Sequence, residues 1–146
     1  MSLFDKIQVS LFQSITTRTA GFATVPQENL TNASALVSLV LMFIGGSPVG
    51  TAGGVKTVTI AVLLITASSM IKNKNEITVF NRAIHQKAVK KAIAVFSLSF
   101  TIMMVSSILL ALVTDAPLVD ILYETVSATA TVGLTRNLTA TLNIWG

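Results

Sequence analysis

The chain has 146 residues, of which 52% are hydrophobic and only 11% charged, with a mean hydropathy of +0.76. A soluble domain carries about 25% charged residues, so this composition reads as a membrane protein. It excludes a disordered chain, a nucleic-acid-binding arm and, with no Cys, a disulfide scaffold. The net charge of +4, from ten Lys and Arg against six Asp and Glu, is also unevenly placed.

In chain order, Phe4, Ile7, Leu11, Phe12 and Ile15 recur at helical spacing and predict a short amphipathic helix. It runs into Thr17-Arg18-Thr19-Ala20-Gly21-Phe22. Next come two strongly apolar stretches, Ala35–Ile44 and Val58–Ile71, separated by a Gly-rich block from Gly45 to Thr57. Neither stretch crosses a hydrocarbon core of roughly 30 Å alone, but together they do. The economical reading is one crossing by a broken helix, with the break packed in protein or lining a water-filled path, because lipid does not tolerate exposed irregular backbone. The competing reading, a hairpin of two half-helices, returns the chain to its starting side. The block is not a phosphate loop, because Val55 rather than Gly precedes Lys56 and no strand comes before it.

Six basic residues follow within twenty positions (Lys72, Lys74, Arg82, Lys87, Lys90 and Lys91), opposed there only by Glu76. A short basic segment between apolar ones is the positive-inside signature, which assigns 72–91 to the cytoplasm. From Ala92 to Val113 every residue is apolar, Ser or Thr, and this is the one uninterrupted transmembrane helix. Leu118, Ile121, Leu122, Thr125 and Val126 then predict a second short helix. At about 1.5 Å per residue it reaches about half-way across a bilayer. The chain divides accordingly into 1–71, 72–91 and 92–146.

The two ends repeat each other. Thr17-Arg18-Thr19-Ala20-Gly21-Phe22 is matched 112 positions later by Thr129-Ala130-Thr131-Val132-Gly133-Leu134, and Asn29-Leu30-Thr31 is echoed by Asn137-Leu138-Thr139. Each unit is a half-helix, a Thr/Gly stretch, a polar loop and a membrane helix, which is the plan of a pore loop. A dehydrated cation needs oxygens in place of its water, and backbone carbonyls with Thr hydroxyls supply them. Gly permits the torsions that aim carbonyls at one axis, and the half-helix directs the negative end of its dipole at the ion. Arg18 would repel that ion, so its side chain is expected either to find a buried partner, Glu124 or an acid outside this sequence, or to snorkel to the surface. Asp120 and Glu124 share a helix face at the outer mouth, where they would attract cations or serve as capping and solvated residues.

Three blocks carry a family likeness: Thr16-Thr17-Arg18-Thr19-Ala20-Gly21-Phe22, Gly45-Gly46-Ser47-Pro48-Val49-Gly50-Thr51-Ala52-Gly53-Gly54-Val55-Lys56-Thr57, and Ala130-Thr131-Val132-Gly133-Leu134. The chain resembles the membrane subunit of Trk/Ktr/HKT-type potassium uptake proteins. The resemblance implies an all-α, potassium-channel-like fold of four helix–pore-loop–helix repeats. This chain would hold about two of them, from the third pore helix to the fourth filter, with no signal peptide at its start. It implies filter oxygens on Thr19, Ala20, Gly21, Thr131, Val132 and Gly133. It also implies an intramembrane gate loop containing Gly45, Gly46, Gly50, Gly53, Gly54 and Lys56, the last a charge expected to have a role at that depth. The implied function is multi-pass potassium uptake at the bacterial inner membrane, with potassium as substrate and no cofactor. The implied partners are a homodimer mate, membrane lipid and a cytosolic ring of nucleotide-binding regulatory subunits, with no nucleic acid. Because the first filter is absent, a sodium-selective member stays open.

Other classes fit less well. A secondary transporter built on a midplane site predicts two broken helices and intramembrane acids, whereas one break is present and no Asp or Glu lies between Ala33 and Ile71 or between Ala92 and Thr114. A membrane anchor gives no reason for the repeated blocks. An enzyme lacks parts, since the single His85 has no Cys or Asp nearby in the sequence. The Asn-x-Ser/Thr matches at Asn29, Asn32 and Asn137 are expected to be cap and turn residues.

Overall fold

The structure, a computed structural model, describes residues 2–47, 53–72, 77–79 and 82–141. Five helices account for most of it: α1 Leu3–Thr16, α2 Asn32–Phe43, α3 Thr57–Ile71, α4 Gln86–Val113 and α5 Leu118–Thr129. A two-residue antiparallel pair, β1 Thr78–Val79 and β2 Arg82–Ala83, precedes α4, and single 3-10 turns lie at Gln27–Asn29 and Thr139–Thr141.

The local sequence explains the helix boundaries. Ser2 and Asp5 form a reciprocal capping box at the start of α1. Thr31 caps α2, its hydroxyl accepting from the Ser34 N–H at 3.3 Å. Pro117 stands just before the first turn of α5, where its missing N–H has no intrahelical partner to lose. Helix α4 begins at Gln86, capped by the His85 ring nitrogen. Lys87, Lys90 and Lys91 therefore stand on its first turns rather than in a loop, and the stretch 72–91 is only partly irregular. Lys74 and Glu76 lie outside the described residues.

Among the described residues only α4 is long and apolar enough to cross a bilayer, with a mean hydropathy of 2.3 over its best window. At about 1.5 Å per residue it is roughly 42 Å long. It packs along α3 over one part and α5 over another, while α5 also packs on α2. Phe43, at the end of α2, meets Phe96 and Phe100 of α4 edge-to-face, with ring centroids 5.9 and 6.5 Å away.

The two ends of the Gly-rich break lie side by side. Ile44 and Val55 form a parallel bridge, and the Val55 N–H donates to the Phe43 carbonyl at 3.0 Å. The chain thus leaves the loop in the direction it entered, and α2 and α3 succeed one another alongside α4. A hairpin would have produced an antiparallel pairing. Of the predicted gate residues, Gly50 lies outside the described residues. Gly45 and Gly46 are buried and Gly53 and Gly54 half-buried, and Lys56 is the residue before α3.

The core is small and centred on one of the two repeated segments. Leu39 and Met42 of α2, Met103 of α4, and Tyr123 and Val126 of α5 close around Ala130, Val132 and Leu134. By contrast, Leu3, Phe4, Ile7, Leu11 and Ile15 of α1 and much of α4 present apolar side chains outward.

Candidate functional site: two Thr-Gly segments and an adjoining loop

Both half-helices end in the same backbone device. Thr19 has φ +69° and Gly21 +74°; Thr131 has φ +57° and Gly133 +87°. The four left-handed residues fall at the same two places of each repeat, 112 apart. A β-branched residue in this region is a true outlier, with a cost of order 1–3 kcal/mol that persists only where surrounding structure enforces it. At the end of α5 the enforcement is a helix-terminating turn. The Val132 N–H reaches the Ser127 carbonyl at 2.8 Å across a left-handed Thr131. After α1 the Ala20 and Gly21 N–H groups both reach the Thr16 carbonyl at 3.2 Å. Neither helix has a basic residue in its last turn.

The segments adjoin one another. A Cβ on Gly21 would run into the carbonyl oxygen of Val132. Gly21 and Gly133 line one cavity of about 210 Å³ together with Ala23, Gln27, Thr135 and Asn137. Burial alternates along the second segment: Val132 and Leu134 point into the core while Thr131 and Gly133 are exposed. The first segment is more open, with Phe22 72% exposed, and is tied instead by the Thr16 hydroxyl, which donates to the Phe22 carbonyl at 2.6 Å.

The Gly-rich loop meets the second segment directly. The Gly53 N–H donates to the Thr131 hydroxyl at 3.1 Å, and a Cβ on Gly53 would strike both that hydroxyl and the Ala130 carbonyl oxygen. Sequence spacing brings the two repeats into register, but this contact between residues 78 apart had no signal in the sequence.

A buried polar network joins the two repeats, and most of it was not foreseen. Gln27, 2% exposed, accepts from the Tyr123 hydroxyl at 2.9 Å and from Gln13 Nε2 at 2.6 Å. Arg136 pairs with Asp120 (Nε to Oδ1, 2.6 Å), donates from Nη1 to the Gln27 carbonyl at 3.0 Å and lies 5.9 Å from the Tyr123 ring centroid. Glu124 is buried and accepts from the Thr135 hydroxyl, the Arg136 N–H at 3.1 Å and the Thr139 hydroxyl at 2.9 Å. Asp120 is therefore ion-paired and Glu124 is hydrogen-bonded to the chain that follows its own segment. Glu124 makes no ion pair with Arg18 either; the Arg18 side chain is exposed. One signal was available: two acids at i and i+4 on a half-helix, followed past the Thr-Gly stretch by a lone Arg in Leu134-Thr135-Arg136-Asn137.

The second echo is used differently in its two copies. Asn29 sits in a 3-10 turn and Thr31 caps α2, whereas Asn137 is left-handed at φ +69° and Thr139 bonds Glu124. Among the described residues no group of three or more His, Cys, Asp or Glu is placed to hold a metal ion.

Comparison with known proteins gives the lineage. The family model described as TrkH, cation transport protein, matches residues 2–143. The Ktr system potassium uptake protein B of Bacillus subtilis is 36% identical over 146 residues, covering 100% of this chain and 33% of the relative. The potassium/sodium uptake protein NtpJ of Enterococcus hirae is 34% identical over 97% of this chain and 32% of its own length. The Ktr system potassium uptake protein B of Vibrio alginolyticus is 37% identical over 92% of this chain and 30% of its own length. The chain thus spans about a third of the length of these relatives, all transport proteins rather than enzymes. With the family model matched almost from end to end, the chain belongs to the TrkH family of cation transport proteins.

Proposed function

We propose that the two Thr-Gly segments are two quarters of a selectivity filter for potassium or a similar monovalent cation, in a pore-loop uptake protein of the bacterial inner membrane. The observation that carries this reading is the pairing of left-handed residues, Thr19 with Gly21 and Thr131 with Gly133, at the ends of two equivalent half-helices. In an ordinary strand successive carbonyls alternate sides. Alternating handedness turns neighbouring peptide units the same way, as in the N–H nests that bind anions. The opposite face of such a run presents carbonyls, here those of Thr19, Ala20, Gly21, Thr131, Val132 and Gly133. These oxygens replace a cation's hydration shell, and the C-terminal ends of α1 and α5 add a favourable field.

The loop holding Gly45, Gly46, Gly50, Gly53, Gly54 and Lys56 acts as the gate in this reading. The contact of Gly53 with Thr131 supports it, since the loop touches the end of the filter nearest the half-helix. Relatives carry the names of potassium and potassium/sodium uptake proteins, and two are protein B of a Ktr system. The proposal extends accordingly to a multi-pass subunit working as a homodimer, with a cytosolic ring of nucleotide-binding regulatory subunits that meets the basic 72–91 stretch.

The test is growth at limiting potassium of a bacterium stripped of its own potassium uptake systems. It expresses the intact polypeptide that carries this chain, together with its regulatory component. Rescue by the native protein and loss in Gly133→Asp, with equal membrane insertion, are expected. A native protein that inserts but moves neither potassium nor sodium refutes the filter reading.

A further inference from the structure

Glu124 is the one buried acid of α5, and a carboxylate in an apolar core is costly unless each of its oxygens is satisfied. Among the described residues its donors come from one place, the five residues that follow the second Thr-Gly segment. Oε1 accepts from the Thr135 hydroxyl and the Arg136 N–H, and Oε2 from the Thr139 hydroxyl. The repeat does not demand an acid here, because the equivalent position of the first unit is Phe12, which is exposed. Behind the second segment lies a cavity of about 430 Å³ lined by Glu124, Ser127, Thr131, Gly133, Thr135 and Thr139 among others. Thr131 and Gly133 face this cavity. The carboxylate bridges the gap between α5 and the outgoing chain. By fixing the Arg136 backbone it also delivers the guanidinium to Asp120 and to the Gln27 carbonyl, which belongs to the loop after the first segment.

Resting on the filter reading above, we infer that Glu124 is a positioning residue for cation selectivity. It holds the carbonyls of residues 131–133 at a fixed spacing, and through Arg136 it fixes that segment against Gly21. It does not touch the ion. What it supplies is an acceptor for two donors at one atom and a partner for Thr139 at the other. A Gln side chain reproduces this, since its carbonyl takes the two donors and its amide donates to the Thr139 oxygen.

The experiment compares Glu124→Ala and Glu124→Gln in the intact polypeptide, normalised to the amount in the membrane, with rubidium and sodium uptake each measured over a concentration series. For Glu124→Ala the expected result is a rise of roughly tenfold in KM for rubidium and a comparable loss of its preference over sodium, the scale set by removing hydrogen bonds to a charged group. The maximal rate per inserted protein should change far less. Glu124→Gln should restore both. Unaltered KM and preference in Glu124→Ala overturn the inference, and so does a Gln variant as impaired as the Ala one. Where Glu124→Ala fails to insert, Thr139→Val removes the bond to Oε2, together with a long 3.5 Å contact from the Thr135 hydroxyl, and is read in the same assay. A smaller loss of preference supports the inference and none overturns it. A native protein that moves no cation removes the filter reading and this inference together, whereas a selective native protein with a selective Glu124→Ala variant removes this inference alone.

Discussion

Gly21 and Gly133 occupy equivalent places in the repeat and have nearly the same torsion, yet the structure predicts different responses to alanine. A left-handed L-residue costs roughly 1–2 kcal/mol, and among the described residues that is the whole penalty at Gly133, because none of their atoms lies within 4 Å of an added Cβ. At Gly21 the same torsional cost applies, but the methyl also runs into the Val132 carbonyl oxygen. That atom cannot retreat easily, since the Val132 side chain is 4% exposed and packed among Tyr123, Val126 and Leu39. Overpacking of this kind adds about 1–3 kcal/mol. Gly21→Ala should therefore be the more damaging by about 2 kcal/mol, roughly a thirtyfold difference in a folding equilibrium. Denaturant unfolding of the intact polypeptide in detergent measures it, with ion uptake in cells as the functional counterpart. Equal losses, or a worse Gly133→Ala, would refute the close approach of the two segments from which the difference is derived.

Other consequences concern the contacts around this pair. Gly53→Ala forces the loop away from Ala130 and Thr131 and should raise basal uptake; an unchanged flux would count against the loop as a gate seated on the filter. Deleting Gly50–Gly53 should raise flux further in the same assay. Tyr123→Phe removes one donor to a Gln27 oxygen that keeps its bond from Gln13, so a loss of only about 1 kcal/mol in unfolding experiments is expected. Ser107 of α4 and Thr125 of α5 share a buried hydrogen bond at 2.8 Å. A double-mutant cycle with Ser107→Ala and Thr125→Val should return a coupling near 0.6 kcal/mol, and a value of zero would mean that the helices do not meet there.

Some of this molecule is written locally. The half-helices α1 and α5, the two short apolar helices α2 and α3 on either side of the Gly-rich block and the long helix α4 were legible because each depends on short-range periodicity, on apolar run length and on Gly at places that require unusual torsions. The 112-residue offset in the sequence reappears as the same offset in backbone torsion. That is the strongest case of sequence determining structure here, since Thr-x-Gly after a terminating helix leaves the chain few alternatives. The sequence also placed the apolar excess and the basic stretch, and from them the membrane character of the chain.

What the tertiary structure decided was which distant groups meet. The parallel bridge between Ile44 and Val55 at the two ends of the Gly-rich loop could not be read from the loop's composition. Glu124, one of the partners offered by the sequence for Arg18, is hydrogen-bonded instead by the loop after its own Thr-Gly segment. Gln27 and Tyr123 carry no motif, and only folding brings them to 2.9 Å across 96 residues. The physical reason is that a buried polar group accepts any donor the packing delivers. Its identity is written in the sequence, but its partner is set by how the helices close around the core.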